Sequence, residues 1–155
     1  MNKHLLSGLV LISAVLIAGC TNTGQTAIQL DQPSYEIVSE NIVNDNIVVD
    51  EGDMKYYQFS VPSSTKYASV SGTFSASGGS MNDINVLIMD EANFADWRSG
   101  RRATQFYESG KLSTGIISAS LPSGTFYLVY SNTFSTFARK GVKTEVNLTY
   151  QVQVQ

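Results

Sequence analysis

Histidine and cysteine are almost missing from this sequence. The chain of 155 residues contains one His, at position 4, and one Cys, at position 20. A Ser-His-Asp or Cys-His nucleophilic centre needs a histidine, and a zinc site made of His and Cys needs several such ligands. Because the two scarce residues both fall in the first twenty positions, the rest of the chain lacks these kinds of site. We therefore expect a protein that is not an enzyme.

Charged residues are also few, at 15% of the chain against 43% hydrophobic residues. This balance is too apolar for an intrinsically disordered polymer, and the length suits one globular domain. The formal net charge is −3. Nucleic-acid-binding domains are usually basic, so we expect no nucleic-acid partner.

The first nineteen residues have the layout of a bacterial export signal. Lys3 precedes an apolar run from Leu5 to Ala18 that is short for a hydrocarbon core of about 30 Å. The run ends in Leu16-Ile17-Ala18-Gly19-Cys20, which resembles the lipobox of bacterial lipoproteins. That resemblance implies a signal peptide over residues 1–19 and a Cys20 that carries palmitate and other acyl chains. Residues 20–34 are then a lipidated Cys and a polar, flexible linker.

Lipidation predicts an anchor in the membrane of the bacterial cell envelope, since several acyl chains hold a protein stably on a bilayer. Thr21 follows the Cys at the position where an Asp signals inner-membrane retention in Gram-negative lipoproteins. The resemblance therefore implies sorting to the outer membrane if the source is Gram-negative.

Residues 35–155 read as an all-β domain. The segment from Val142 to Val154 has a sustained period of two, which is typical of a strand with one buried face and one wet face. One set of positions is apolar apart from Thr144, and the other set is charged or polar. Turn-forming Gly, Pro, Ser and Asp residues separate similar runs, and Ala92–Arg98 is long enough for one helical turn. The pattern predicts an antiparallel β-sandwich or jelly roll of about seven to nine strands. The shorter runs are Met54–Val61, Tyr67–Ala76, Ile84–Met89, Gly115–Leu121 and Thr125–Ser131.

Several segments of this domain resemble GOLD (Golgi dynamics) domains. The Gly-x-aromatic strand and the Asn-x-x-Ser sequence of Gly124–Ser135 look like their penultimate hairpin, and a basic pair, Arg139-Lys140, precedes an alternating final strand as it does in them. Asp83–Val86 and Tyr56–Val61 resemble two of their core strands. In outline the resemblance covers Val48 to Gln153. It implies a β-sandwich that binds partners and has no catalytic activity.

One loop combines aromatic and basic residues and is a candidate contact for a ligand or partner. Trp97, the single Trp of the chain, is followed closely by Arg98, Arg101 and Arg102, and Tyr107 lies further on. Such a loop could stack on a sugar or meet an anionic headgroup. Alternatively, Trp97 closes one end of the sandwich while the arginines stay in water.

Acidic residues in the same region suggest two further hypotheses. Asp90, Glu91, Asn93 and Asp96 offer several oxygen ligands for a weak calcium site, although their spacing does not match an EF-hand; the alternative is that they cap or solvate a short turn. Two carboxylates could also perform glycoside hydrolysis, and the candidates in this region are Asp83, Asp90, Glu91, Asp96 and Glu108.

The sequence favours a membrane-anchored lipoprotein that acts as a non-catalytic protein-interaction or envelope-assembly module. Its expected partners are the membrane, through the N-terminal lipid, and another envelope protein. The alternative is a carbohydrate- or calcium-binding β-sandwich. Calcium is then the one cofactor to consider.

Overall fold

The computed structural model of the protein describes residues 33–154. The predicted signal peptide, Cys20 and most of the predicted linker lie outside these residues. Within them the chain forms eight strands and one helix. In chain order they are β1 (Ser34–Val49), β2 (Met54–Val61), β3 (Thr65–Ser77), β4 (Ile84–Asp90), α1 (Glu91–Arg98), β5 (Tyr107–Leu112), β6 (Thr114–Leu121), β7 (Gly124–Ser131) and β8 (Lys140–Val154).

The strands form two antiparallel sheets of four. The long sheet has the order β1-β8-β3-β6, and the short sheet has the order β2-β7-β4-β5. The prediction of an antiparallel β-sandwich with about seven to nine strands is confirmed. Strand β8, which has the clearest alternation, lies inside the long sheet and pairs with both β1 and β3. The helical turn expected over Ala92–Arg98 is also confirmed, as α1.

Two strands were missed in the sequence. In β1 the alternation changes phase, because the register shifts between Asn41 and Val43 and moves the buried side chains to odd positions. A bulge of this kind inserts one unpaired residue and so breaks a period of two. Strand β5 pairs with β4 over few residues, also with a register shift, and contains Gly110. Neither segment therefore shows a sustained period-2 pattern.

The main core lies between the two sheets. Its centre consists of fully buried apolar side chains from both sheets, among them Val70, Ile84, Ile117 and Leu128. Tyr130 of the short sheet is also buried there, and its hydroxyl is 2.7 Å from that of Thr144 in the long sheet. Burial raises the pKa of Tyr130 above its usual value. The two hydroxyls thus satisfy each other by a hydrogen bond, as burial in a dry core requires.

A second, smaller core lies on the outer face of the short sheet. Leu87 and Met89 of β4 and Val129 of β7 point away from the main core, and Phe94 of α1 covers them. The Phe94 ring stacks on Tyr127 with the centroids 4.1 Å apart. Helix α1 is therefore the lid that keeps this apolar face from water. Residues 33–154 contain no helical segment that qualifies as a transmembrane span.

Candidate binding surfaces

Asp90 and Asn93 fix the first turn of α1. Asp90 is its N-cap: Oδ1 accepts a hydrogen bond of 2.8 Å from the backbone N–H of Asn93. The side-chain amide of Asn93 donates to both carboxylate oxygens of Asp90, and its Oδ1 accepts from the Thr104 backbone N–H at 2.7 Å. Side-chain caps of this kind satisfy the free N–H groups of the first turn. The oxygens of Asp90 and Asn93 therefore already have partners.

The remaining acids of the two hypotheses are spread over the molecule. Asp96 forms an exposed ion pair with Arg101, Glu91 is exposed in the first turn of α1, and Glu108 accepts a hydrogen bond from Asn85 at 3.0 Å. Asp83 lies at the other end of β4, before Ile84. Among residues 33–154 no group of three or more His, Cys, Asp or Glu side chains is placed to hold a metal ion. Calcium binding stays a prediction.

Trp97 is half-buried and packs on the smaller core, on the outer face of the short sheet. Arg98 lies beside it, with its guanidinium carbon 5.6 Å from the ring centroid of Phe94. Arg101 pairs with Asp96, and Arg102 is exposed. Trp97 and Arg98 thus both make contacts that help to hold α1 on the sheet.

Tyr107, the fifth residue of that candidate, lies on the opposite face of the short sheet. Its ring packs against the main core, and its hydroxyl donates a 2.8 Å hydrogen bond to the carbonyl of Ile116. Burial raises the pKa of Tyr107. Because β6 is an edge strand of the long sheet, this bond satisfies a carbonyl that has no neighbouring strand. The structure therefore does not bring Tyr107 and Trp97 together in one site.

The β7–β8 connection, residues 132–139, is fixed by its own side chains. Asn132 is fully buried, and its amide donates to the carbonyls of Asp50 and Ala138 at 3.0 and 2.8 Å. The Ser135 hydroxyl donates to the Ala138 carbonyl and accepts from the Ala138 N–H. These bonds fix both ends of the connection and tie it to the β1–β2 turn.

A buried ion pair joins this connection to the β3–β4 connection. Lys140 Nζ lies 2.9 Å from Asp83 Oδ1 and donates to the Gly78 carbonyl at 2.9 Å. Only 3% of the Lys140 side chain and 15% of the Asp83 side chain are exposed. The hydrogen bond from Lys140 holds the pKa of Asp83 below its usual value. Two loops that are distant in sequence are thereby locked together.

Two apolar side chains on these loops, in contrast, are largely exposed to water. Phe137 is 96% exposed and Met81 is 73% exposed, and both line a hollow of about 290 Å³ together with Phe134. Lys111 Nζ lies 4.4 Å from the Phe134 ring centroid. We call Met81, Phe134 and Phe137 the loop tip. It lies at the end of the sandwich where β1 finishes, since Val49 pairs with Lys140 there.

The outer face of the long sheet is uncovered and carries small polar side chains. Ser39, Thr149, Ser69 and Ser120 lie side by side across its four strands. The next row across the same strands is also polar and consists of Asn41, Asn147, Ser71 and Ser118.

One end of this face forms an open groove of about 560 Å³, where β3 begins. Tyr67 and Ile37 flank it and are 65% and 66% exposed. Lys66 Nζ lies 4.8 Å from the ring centroid of Tyr35 and 5.6 Å from that of Tyr67.

Sequence reasoning missed both the loop tip and the groove. The signal for the first was present: Asn132, Ser135, Lys140 and Asp83, which carry the resemblance to GOLD domains, are the residues that fix the two loops. The groove has no such signal, because Tyr35 and Tyr67 become neighbours only through the strand order β1-β8-β3.

Comparison with known proteins adds no relative to these observations. The chain matches no protein-family model and no curated protein sequence.

Proposed function

We propose that the protein is a lipid-anchored, non-catalytic interaction module of the bacterial cell envelope, a GOLD-like β-sandwich that contacts another envelope protein through its loop tip. The observation that carries the proposal is Phe137, which is 96% exposed on a loop that buried hydrogen bonds and an ion pair hold in place.

Exposed apolar side chains on a rigid support are typical of interaction hot spots. Aromatic anchors dominate binding energy in many interfaces, and pre-organisation lowers the entropy lost on binding. Phe137 and Met81 bury little surface in this molecule, yet Asn132 and the Lys140–Asp83 pair fix the loops that bear them. A tip fixed in this way is suited to insert into an apolar pocket of a partner.

The N-terminal anchor supports the same function. Acylation of Cys20 confines the domain to the membrane surface, which raises its effective concentration near other envelope proteins. Within the domain, strand β1 begins at Ser34, whereas the loop tip lies at the end where β1 finishes. The tip is therefore on the end of the sandwich remote from the point where the linker joins it.

Site-specific crosslinking in living cells tests the partner contact. A photo-crosslinking phenylalanine analogue at position 137 is expected to give one discrete adduct with an envelope protein, and Met81→Ser combined with the analogue should weaken that adduct. The matched control places the analogue at Ile116, which is 76% exposed on the long sheet. The same adducts from both positions, or none from position 137, would refute the loop tip as the contact.

The anchor has its own test. Cells fed a palmitate analogue should label the native chain in the membrane fraction, and Cys20→Ala should lose both the label and the membrane association. If the Cys20→Ala chain is labelled and membrane-bound like the native chain, the lipoprotein assignment is wrong.

A further inference from the structure

We propose that the groove on the outer face of the long sheet binds a neutral oligosaccharide. The site goes beyond the proposed protein contact, because it lies on a different surface and at the opposite end of the sandwich. It consists of a floor of hydroxyl groups, an aromatic wall and an amide.

The floor of the groove is a ladder of hydroxyl groups. Ser120, Ser69 and Thr149 are neighbours on β6, β3 and β8, and all three line the groove. Ser39 of β1 continues the ladder, with its Oγ 3.4 Å from Thr149 Oγ1. Adjacent strands lie about 4.8 Å apart, so the hydroxyls form a row with a regular spacing. A hydroxyl both donates and accepts, which suits the hydroxyl groups of successive sugar units.

The wall of the groove provides apolar contact for sugar rings. Tyr67 lines the groove and is 65% exposed. Tyr35 lies beside the groove and is 40% exposed, and the Lys66 ammonium is within 5.6 Å of both ring centroids. Cation–π attraction to both rings restrains their positions, and each Tyr still presents ring surface and a hydroxyl to solvent. Gln151 lines the same groove and adds an amide that can donate and accept.

The charge and polarity of the groove favour a sugar over other occupants. Among the residues that line the groove, Lys66 is the one charged side chain, and its ammonium already faces the two rings. The three hydroxyls of the floor lie beside apolar side chains, among them Ile37, Leu121 and Pro122, so the lining combines polar and apolar surface. A neutral, hydroxyl-rich ligand with alternating apolar and polar faces matches this lining, as in ligand pockets where a few polar groups fix orientation.

Calorimetric titration with cellohexaose and chitohexaose tests the site, using the full chain expressed in bacteria and purified in detergent micelles. Binding of at least one of the two is expected. Tyr67→Ala should weaken it about tenfold, the loss that corresponds to about 1.4 kcal/mol of stacking energy. Tyr67→Phe should retain most of the affinity, and Thr149→Val should weaken binding severalfold by removing one hydroxyl from the floor.

Two controls keep the result interpretable. Tyr56→Ala removes a Tyr that is 45% exposed on the other sheet and should leave the affinity unchanged. Phe137→Ser should also bind sugar normally, so failure of the protein contact does not affect this test. Absence of binding to both hexasaccharides at millimolar concentration would overturn the proposal, and so would equal affinity in the native chain and in a folded Tyr67→Ala variant.

Discussion

The β4–β5 and β7–β8 connections are built in the same way but use their aromatic residues differently. Each is fixed by a polar side chain at its start, Asp90 in one and Asn132 in the other. In the first, Phe94 is folded against the sheet and is 5% exposed, whereas in the second Phe137 stands in water at 96% exposure.

The difference in exposure shows which of the two aromatic side chains contributes to the packing of the domain. The outer face of the short sheet presents Leu87, Met89 and Val129, so it needs a cover, and Phe94 provides it. Phe137 covers no comparable apolar surface, and the loop that bears it is already fixed by Asn132 and Lys140. Phe94 therefore contributes to the stability of the fold, whereas the exposed ring of Phe137 contributes little to it. Each of the following predictions tests one of these connections or compares the two.

The largest effect is expected for Phe94→Ala. It removes the ring that stacks on Tyr127 and opens the smaller core to water. Truncation of a buried Phe side chain to Ala lowers the free energy of unfolding by about 3–5 kcal/mol. Urea denaturation followed by circular dichroism measures this loss. A loss below about 1 kcal/mol would mean that α1 is a dispensable cover rather than part of the fold.

The ion pair beneath the loop tip comes next. Asp83→Asn leaves the Lys140 ammonium buried without a counter-charge, which is expected to cost about 3 kcal/mol at neutral pH. Because the pKa of Asp83 is lowered in the folded state, its contribution is present above the ordinary carboxyl pKa of about 3.9 and is lost as the pH falls through the lowered value.

The pH dependence therefore separates the native chain from the variant. Urea titrations between neutral and strongly acidic pH should show the two stabilities converging as Asp83 becomes protonated in the native chain. The β4–β5 connection offers the matched control, since Asp96→Asn removes an acid from an exposed pair. Native and Asp83→Asn curves that stay parallel down to acidic pH would contradict the assignment of the buried pair.

These two connections also show how far the sequence alone could go. The alternation in β8 and the helical turn at Ala92–Arg98 are local patterns, and both were predicted correctly. Asp83 and Lys140 are 57 residues apart and meet only because β3 and β8 are neighbours. The GOLD-like motif contains these residues, but neither their pairing nor the exposure of Phe137 follows from a local pattern. The contact surface itself therefore could not be placed from the sequence.

A smaller loss is expected for Asp90→Ala. The substitution removes the cap of α1 and two bonds from Asn93, which costs about 1 kcal/mol. Asp96→Ala breaks only an exposed ion pair with Arg101 and should cost about 0.5 kcal/mol or less.

Thermal unfolding of Asp90→Ala and Asp96→Ala, with and without calcium, also tests the hypothesis of a calcium site. If Asp90 serves only as a cap, calcium should leave the melting temperatures of the native chain and both variants unchanged. A calcium-dependent rise in the native chain that disappears in Asp90→Ala would instead identify this turn as a cation site.

The smallest effect on stability is expected for Phe137→Ala, and it is the most informative one. At 96% exposure the ring buries almost no surface, so the free energy of unfolding should change by about 0.5 kcal/mol or less. The same chemical change at Phe94 should cost several times more, which makes the two variants a matched pair. Urea denaturation measures both. A large loss of stability at Phe137 would show that the ring packs against the domain in solution, and the distinction between the two connections would then fail.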